Sequence, residues 1–473
     1  MLQKPAILRA SAQPGTPVSA WYNWSMKSYA SEKWRLVIAI CLIAAPALAF
    51  YIILFKTAVN LPLLDDYQSI LDVANSIAKT HDPLSRLGVV VTSQHNGYKQ
   101  VTNNVLVWAC YRFTGQVRML PLIAIGDAFA LLIFLPVALM AKSPTTDRAS
   151  RLLLLVPVAC FIFQLQYASA LNFASCSIQE LGVVAFSLLS IYFLSKDARN
   201  IFVISSIFAV LAVLSSPNGF FLAPVGAFML AKRRHWKQLM TWAAIFCVLL
   251  GLYLFRYAGV PSATGAKATA GHSINLIYAL AFVGASAARY VSIAPALVLG
   301  ILLCGIVVLA AIKRYDLRNP AVFYSMVFIL INAVAVSSLR SDQGVAQSLA
   351  SRYRIYSNLM LAFSYLFLLE QWILRWKGIA ARRLVITAAI MLSATFCLLS
   401  DVAGARFLDA KKIALEQSYR MQWLGLPPET AGETDINRTP VLARQLHDGV
   451  FNPNLPTLRE SVRLGVYQPP SHP

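Results

Sequence analysis

Two adjacent carboxylates, Asp65 and Asp66, follow soon after the first long apolar run of the chain. That run, residues 36–55, contains no charged side chain and is long enough to cross a bilayer, for which about 20 residues suffice. Carboxylates so close to the end of a membrane helix are costly unless they lie in water or in a polar cavity. The pair therefore predicts a hydrated site at the membrane surface.

The chemistry open to this pair is proton transfer. A carboxylate there could act as general base for a sugar hydroxyl, which is too weak an acid to attack unaided. Alternatively, Asp65 or Asp66 could begin an amphipathic helix over 67–79, because carboxylates favour the positive end of the helix dipole. The two roles are compatible, since one residue can be the base and the other the cap.

Arginines precede one of the later apolar runs. Arg352 and Arg354, which flank Tyr353, could clamp the phosphate of a lipid-linked donor with their guanidinium groups. The alternative is anchoring at the membrane interface by snorkelling side chains. We favour the phosphate role slightly, because outward connections of the chain are otherwise poor in arginine beside their spans. Arg340 and Asp342 lie earlier in the same connection, and we expect them to pair with each other.

Three other polar residues are candidates for the same site. His95 could orient an acceptor hydroxyl or shuttle a proton, although a lone histidine in a polar loop is more often structural. Lys99 lies in the same loop, and Glu180 lies at a membrane boundary, where a functional or pairing role is expected. With Arg340, Arg352 and Arg354 they form the predicted substrate-binding set. Asp127, inside the second apolar run, needs a partner that a structural contact would also supply.

The composition places these residues in a membrane protein. Of 473 residues, 58% are hydrophobic and 13% charged, and the mean hydropathy is +0.61, whereas a soluble domain is about a quarter charged. The net charge of +21 falls in short basic clusters between apolar runs, a pattern typical of membrane topology rather than of nucleic-acid binding. The chain has no CxxC pair, zinc spacing, P-loop, GxGxxG, HExxH or GxSxG motif in a usable context, so ATP-driven pumping and serine-hydrolase chemistry lack support.

The apolar runs predict an all-α, polytopic transmembrane bundle of about eleven spans. The candidate spans are 36–56, 119–141, 152–166, 179–195, 201–215, 219–231, 238–257, 292–312, 321–339, 355–374 and 384–400. The first is expected to be an uncleaved anchor, because its apolar run and its leader are too long for a signal peptide. Residues 101–114 are too short and too polar for a confident span.

The basic linkers predict the orientation, with the N-terminus in the cytoplasm and the C-terminus outside. Residues 273–291 are apolar enough to span, but a span there would place every later basic linker on the outer side of the membrane. We therefore expect this segment to form an interfacial or re-entrant helix. A count of twelve spans is the main alternative. The basic linkers contain Lys142, Arg148 and Arg151; Lys196 and Arg199; Lys232, Arg233, Arg234 and Lys237; Lys313, Arg314 and Arg318; and Arg375, Lys377, Arg382 and Arg383.

This topology divides the chain into three parts. A cytoplasmic tail over 1–35 precedes a transmembrane domain over 36–400, whose first outer loop covers 57–118. A small, polar, extracytoplasmic tail over 401–473 follows. The predicted site residues all fall on the outer side, whereas the cytoplasmic connections offer only basic anchors.

The layout resembles that of GT-C type glycosyltransferases, polytopic enzymes that use polyprenyl-phosphate-linked sugars. The matching features are an N-in first helix, Leu63–Tyr67 at the start of a large first outer loop, and the late arginine-bearing segment Ser351–Ser357. The segments Gln94–Asn96 and Phe163–Gln166 also look like those of uncharacterised bacterial membrane proteins of this build. The chain departs from larger relatives in lacking a substantial soluble outer domain, which leaves acceptor selection unassigned.

The resemblance implies an inverting sugar transferase in a bacterial inner membrane. An acidic residue of the first outer loop would be the base, with Asp65 favoured narrowly over Asp66, and Arg352 and Arg354 would stabilise the leaving phosphate. The implied partners are a polyprenyl-phosphate sugar, a cell-envelope glycan or lipid acceptor and the bilayer, with no nucleic acid. No cofactor is expected, and a divalent metal is not indicated.

Two other functions remain open from the sequence. A transporter or flippase for a lipid-linked glycan would carry polar residues at mid-depth along several spans, where Asp127 is the one clear acid. A non-catalytic membrane partner in polysaccharide assembly would tolerate the loss of both Asp65 and Asp66.

Overall fold

The structure, a computed structural model, is almost entirely helical. It describes residues 18–142, 147–196, 198–257, 274–288, 292–371, 378–423 and 454–470. In these ranges the all-α prediction is confirmed, since the strands are confined to the short pair β1 (Gln94–His95) and β2 (Tyr98–Lys99). Several predicted features lie outside the described residues, namely positions 1–17 of the N-terminal tail, Arg375 and Lys377, residues 273 and 289–291, and 424–453 of the C-terminal tail.

The α-helices are numbered in chain order. They are α1 (Val18–Thr57), α2 (Asp72–Lys79), α3 (Pro83–Thr92), α4 (Val101–Thr114), α5 (Met119–Met140), α6 (Arg148–Leu153), α7 (Val156–Ile162), α8 (Ala174–Leu194), α9 (Arg199–Ser215), α10 (Leu222–Lys232), α11 (Trp236–Leu254), α12 (Leu276–Val283), α13 (Ala294–Ile312), α14 (Tyr315–Arg318), α15 (Pro320–Arg340), α16 (Arg354–Gln371), α17 (Ile379–Gln422) and α18 (Leu455–Arg463). A π-helical turn, Tyr67–Leu71, precedes α2. Short 3₁₀ turns occupy Leu165–Tyr167, Pro217–Phe221, Ala285–Ala287, Ser341–Gln343, Val345–Leu349 and Ser351–Tyr353.

Eight helical segments of the described chain are long and apolar enough to cross a membrane. They overlap eight of the predicted runs, in agreement with a multi-pass membrane protein. The other three predicted spans form α9, α10 and α16, which are not among the eight. The count of about eleven crossings therefore stays a prediction.

Burial separates central helices from peripheral ones. The apolar window of α8 is 78% buried inside the protein, whereas that of α1 is 11% buried. A helix with an apolar surface that no other helix covers needs lipid around it, because the same surface in water would be strongly unfavourable. We infer that α8 forms the centre of the bundle and that residues 33–57 of α1 face lipid along most of their surface.

Hydrogen bonds at the helix termini define two ends of the bundle. At one end, here called the site end, Asn172 donates to Thr57 at the end of α1 (2.7 Å), and Ser215 at the end of α9 donates to Thr102 (3.0 Å). The opposite end, here called the basic end, holds several of the predicted basic linkers. Its contacts join Arg35 to Asp147 (3.1 Å), Arg233 to the carbonyl of Leu194 (2.9 Å), Arg318 to Gln371 (2.7 Å) and Lys232 to Asp316.

Candidate site residues and basic linkers are thus separated along the bundle, in the way that the charge pattern predicted. The assignment of the two ends to the two sides of a membrane stays a prediction.

The predicted boundary between the transmembrane domain and the C-terminal tail, at residue 401, falls within a continuous helix and stays a prediction. Helix α17 runs without a break for 44 residues, a length of about 66 Å at 1.5 Å per residue. Asp401 lies inside this helix, where its carboxylate accepts a hydrogen bond from the backbone of Leu165 (2.9 Å). Polar residues of this helix, such as Asp401 and Lys411, contact the backbone of the segment between α7 and α8.

The described part of segment 273–291 agrees with a non-spanning helix. Helix α12 has eight residues, which gives a length of about 12 Å, well short of a bilayer. It packs closely on α13, because Gly284 and Gly300 present no side chain there. A Cβ at Gly284 would lie 1.9 Å from the carbonyl oxygen of Ala296, and one at Gly300 would lie 2.0 Å from that of Leu280.

The last described segment, 454–470, packs on the first loop rather than standing apart. The backbone N–H of Val117 donates to the carbonyl of Val466 (2.6 Å), and the Tyr467 hydroxyl donates to the carbonyl of Asn60 (2.6 Å). Both contacts join residues far apart in sequence. The C-terminal segment therefore belongs to the structure around the first loop.

Candidate functional site

The chain makes a tight, strained turn just before the aspartate pair. Leu64 has a φ of +44°, in the left-handed region that bulky residues rarely adopt. Such strain persists only where surrounding contacts hold it, and it is frequent at functional sites. Beyond this turn, the carboxylates of Asp65 and Asp66 lie in different environments.

Asp66 points inward and holds two parts of the chain together. Its side chain is 1% exposed and accepts hydrogen bonds from the backbone N–H groups of Leu63 (3.1 Å) and Ser175 (2.9 Å). Ser175 is the second residue of α8, so Asp66 caps this helix from a distant part of the sequence. The expected cap of the helix beginning at Tyr67 is not formed, since Asp66 makes no side-chain hydrogen bond there.

Burial also changes the acidity of Asp66. Removal from water raises the pKa of its carboxyl group from 3.8 to about 6, against the opposing effect of the Ser175 and Leu63 N–H donors. With its oxygens engaged by the backbone, Asp66 is suited to positioning the loop rather than to accepting a substrate proton.

Asp65 points outward and contacts His95. The distance between its Oδ1 and the Nε2 of His95 is 3.1 Å, with Asp65 half exposed and the His95 side chain 13% exposed. The side-chain nitrogen of Asn96 lies 2.8 Å from the same Nε2. Asp65 can therefore combine access to solvent with a fixed imidazole partner, an arrangement that suits proton transfer.

A two-residue hairpin fixes the position of His95. Strands β1 and β2 pair Gln94 with Lys99 and His95 with Tyr98. The connecting residues, Asn96 and Gly97, have φ values of +49° and +74°. Positive φ at both positions is the hairpin turn for which Asn-Gly is the strongest sequence signal. That dipeptide could have revealed the hairpin from the sequence, but the sequence reasoning missed it.

The Asp65–His95 pair lines an open cleft of about 650 Å³. The residues around it come from the first loop and from the C-terminal segment, and most are polar. They are Leu64, Asp65, Gln68, Asp72, Val73, Ser76, Ser93, Gln94, His95, Asn96 and Asn454. Sequence reasoning missed Asp72 and Asn454, and no local motif marks either of them.

A narrow cavity of about 10 Å³ adjoins this cleft, and its lining residue Tyr98 contacts Arg340, the first member of a basic cluster. The cavity shares Gln68 and His95 with the cleft. The guanidinium of Arg340 donates to the hydroxyl of Tyr98 (3.0 Å). Arg340 is thus joined to the hairpin that carries His95. The expected pair of Arg340 with Asp342 is not observed, since no ion pair joins these two described residues and Asp342 is exposed.

Arg352 and Glu180 complete the basic cluster. The ring of Tyr353 lies 5.1 Å from the guanidinium of Arg352 and 5.9 Å from that of Arg340. Both guanidinium groups act electrostatically on the Glu180 carboxylate. Among the described residues, Glu180 Oε2 and Arg352 Nε are buried without a hydrogen-bond partner. With two arginines and one glutamate, the cluster carries a net charge suited to an anion.

Lys99 and Arg354 donate hydrogen bonds to backbone carbonyls outside the cleft lining. Lys99 is buried and its ammonium donates to the carbonyls of Leu252 (3.3 Å) and Phe255 at the end of α11; burial lowers its pKa. Arg354 is also buried, and its Nε donates to the carbonyl of Leu349 (3.3 Å). Both residues were predicted to bind substrate, and neither lines the cleft.

A second buried charged group lies deeper in the bundle. Lys411 on α17 donates to the carbonyls of Leu171 (2.9 Å) and Asn172 (3.1 Å). Asp127 accepts from the backbone N–H of Asn172 (3.4 Å), and the charge of Lys411 acts on it. Asp127 therefore has the structural contact that its depth requires. Lys411 was missed, because it lies in a polar stretch that we had placed outside the transmembrane domain.

Among the described residues, no three His, Cys, Asp or Glu side chains are grouped so that they could hold a metal ion.

Comparison of the chain with protein-family models, with curated proteins and with solved structures found no match.

Proposed function

We propose that this protein is a glycosyltransferase of the membrane that moves a sugar from a polyprenyl-phosphate donor to a hydroxyl-bearing glycan or lipid acceptor. The proposed setting is a bacterial inner membrane, with the cleft facing outward. The observation that carries the proposal is the Asp65–His95 contact of 3.1 Å inside an open polar cleft. A half-exposed carboxylate with a fixed imidazole partner, just beyond the end of a membrane helix, is placed to take a proton from an acceptor.

The proposed step is a single displacement. The acceptor oxygen forms a bond to the anomeric carbon, while the bond from that carbon to the phosphate oxygen breaks and its electrons stay with the leaving polyprenyl phosphate. The hydroxyl proton passes to the carboxylate of Asp65. His95 orients this carboxylate through the contact of its Nε2 with Oδ1. The product has an inverted anomeric configuration.

The basic cluster is the proposed location of the donor phosphate. Arg340 and Arg352 would balance the charge that grows on the leaving group, as preorganised cations do in phosphoryl and glycosyl transfer. The unpartnered Nε of Arg352 supports this assignment, because a buried N–H without an acceptor is costly unless a ligand completes it. We leave Lys99 and Arg354 out of the chemistry, because backbone carbonyls engage their donors.

The test is a transfer assay in membranes that contain or lack the protein. Membranes are supplied with polyprenyl-phosphate donors that carry labelled hexoses or pentoses. We expect label to move from the lipid into a second, glycosidically linked product only where the protein is present. Label that stays on its lipid in both membranes, across the range of sugars, would contradict the proposal.

A transporter or flippase remains the second candidate because of one observation. Lys411 and Asp127 are two buried ionisable groups within long helices of the bundle, where the charge of Lys411 acts on Asp127, and such groups commonly mark pathways through a membrane. The same assay separates the two functions. A flippase would move the labelled lipid from one leaflet to the other without changing its chemical form.

A further inference from the structure

The side chains that line the cleft around Asp65 favour some classes of ligand over others. Its lining is rich in amides and hydroxyls, from Gln68, Ser76, Ser93, Gln94, Asn96 and Asn454. These groups donate and accept hydrogen bonds without carrying charge, which suits a ligand rich in hydroxyl groups. The volume of about 650 Å³ lies within the usual range of small-molecule sites, about 300–1,000 Å³.

The charge of the cleft disfavours anions. Two carboxylates, Asp65 and Asp72, face it, and none of its described lining residues is a lysine or an arginine. Asp72 lies within electrostatic range of His95 and Lys79, and Lys79 is engaged in an ion pair with Glu460 (3.0 Å). A phosphate or carboxylate ligand would meet like charge here, whereas the basic cluster around Arg340 and Arg352 would attract it.

The C-terminal segment forms part of the cleft wall. The side chain of Gln68 donates to that of Asn454 at 2.5 Å, and Lys79 pairs with Glu460 on α18. These contacts attach the C-terminal segment to the π-helical turn, through Gln68, and to the end of α2, through Lys79. A part of the chain remote in sequence from the first loop thus faces any ligand that reaches Asp65.

We propose that this cleft is the acceptor site and that it takes an uncharged, hydroxyl-rich group, such as the end of a neutral glycan. Asp72 excludes acidic sugars, and Asn454 of the C-terminal segment contributes to recognition. The donor phosphate is held apart, at the basic cluster beyond Tyr98. This inference rests on the proposed function, whose acceptor it defines.

The experiment measures binding without a donor, by hydrogen–deuterium exchange of the full-length protein in detergent. The probes are a panel of neutral mono- and disaccharides, the matching uronate sugars and inorganic phosphate. We expect at least one neutral sugar to slow exchange in residues 65–76, 93–100 and 454–463 together. Uronates and phosphate should leave these segments unchanged.

The variant Asp72→Asn sharpens the test. Its preference for the neutral sugar over the matching uronate should fall by about tenfold, because one of the two repelling charges is removed. The inference is overturned if phosphate or a uronate protects the three segments of the wild-type protein as strongly as the neutral sugars do. It is also overturned if no sugar of the panel protects them.

Failure of this inference is distinguishable from failure of the proposed function. A protein that binds neutral sugars at these segments but transfers no label from any lipid donor would contradict the transferase assignment alone. A protein that transfers label but binds only acidic sugars in the cleft would contradict the acceptor assignment alone.

Discussion

Asp65 and Asp66 are neighbours of the same residue type with different surroundings. Asp66 is buried and accepts two backbone hydrogen bonds, whereas Asp65 is half exposed and meets His95. The sequence predicts a polar site at this pair but cannot decide between the two residues. That decision depends on Ser175 and His95, which lie far from the pair along the chain and which only folding brings close.

The buried carboxyl of Asp66 should make stability depend on pH. Its pKa is about 6 in the folded protein, above the ordinary 3.8. The folded state therefore binds the proton more tightly, and the stabilisation present below pH 3.8 is lost as the pH rises through 6. The expected loss is about 2–3 kcal/mol, from about 1.4 kcal/mol per pKa unit.

Thermal unfolding of the detergent-solubilised protein at several pH values checks this prediction. The melting temperature of the wild-type protein should decrease more steeply between pH 4 and pH 6 than that of Asp66→Asn. Parallel curves for the two proteins would show that Asp66 is not the group responsible.

His95 should matter through its contact with Asp65. Replacement by glutamine, which can still hydrogen-bond but does not exchange a proton near neutral pH, should lower the transfer rate by about 10²-fold and change the shape of the pH–rate profile. His81, an exposed histidine of the same loop, offers a matched control. An unchanged profile in His95→Gln, or an equal loss in His81→Gln, would count against the dyad.

At the scale of the elements, the long helices could be predicted from their apolar runs, whereas the arrangement of the site could not. Eight of the predicted runs are long apolar helices in the structure. The β1–β2 hairpin was missed, although Asn96-Gly97 marks it, because strands of two residues each are too short to show an alternating pattern. The continuity of α17 could not be predicted, since it depends on the contacts that Asp401 and Lys411 make with remote backbone groups.

The hairpin should be sensitive to the loss of glycine at its turn. Gly97 has a φ of +74°, a conformation that costs an L-residue about 1–2 kcal/mol. Gly97→Ala should therefore destabilise the loop by roughly 1 kcal/mol and lower transfer by displacing His95. The measurements are thermal unfolding and the transfer rate.

Gly88 provides the control for this substitution. It lies in α3, and no atom would contact a Cβ there. Gly88→Ala should leave both quantities nearly unchanged or raise stability slightly. If Gly97→Ala behaves as Gly88→Ala does, the turn does not position the site.

At the scale of the whole molecule, the two ends of the bundle carry different side chains. The site end gathers the Asp65–His95 pair and the arginines near Tyr98, and the basic end gathers linkers such as Arg233. The alternation of basic and non-basic connections along the sequence predicted this separation of the two ends. It could not predict that the C-terminal segment closes one side of the cleft, because no local pattern pairs Gln68 with Asn454.

Cysteine labelling tests the orientation of the two ends. Asn96→Cys, in the cleft, and Arg234→Cys, in an exposed basic linker, are compared with a membrane-impermeant maleimide. In spheroplasts Asn96→Cys should label above the wild-type background, whereas Arg234→Cys should label only after permeabilisation. The reverse pattern would place the cleft in the cytoplasm and exclude the proposed topology.

The central claim is that the carboxylate of Asp65 accepts the proton during sugar transfer. The most direct measurement is the transfer rate from a labelled polyprenyl-phosphate sugar by wild-type protein, Asp65→Asn and Asp66→Asn at equal levels of folded protein. We expect Asp65→Asn to lose about 10²–10⁴-fold in rate, the usual contribution of a general base, and Asp66→Asn to lose much less. Transfer by Asp65→Asn at the wild-type rate would contradict the claim.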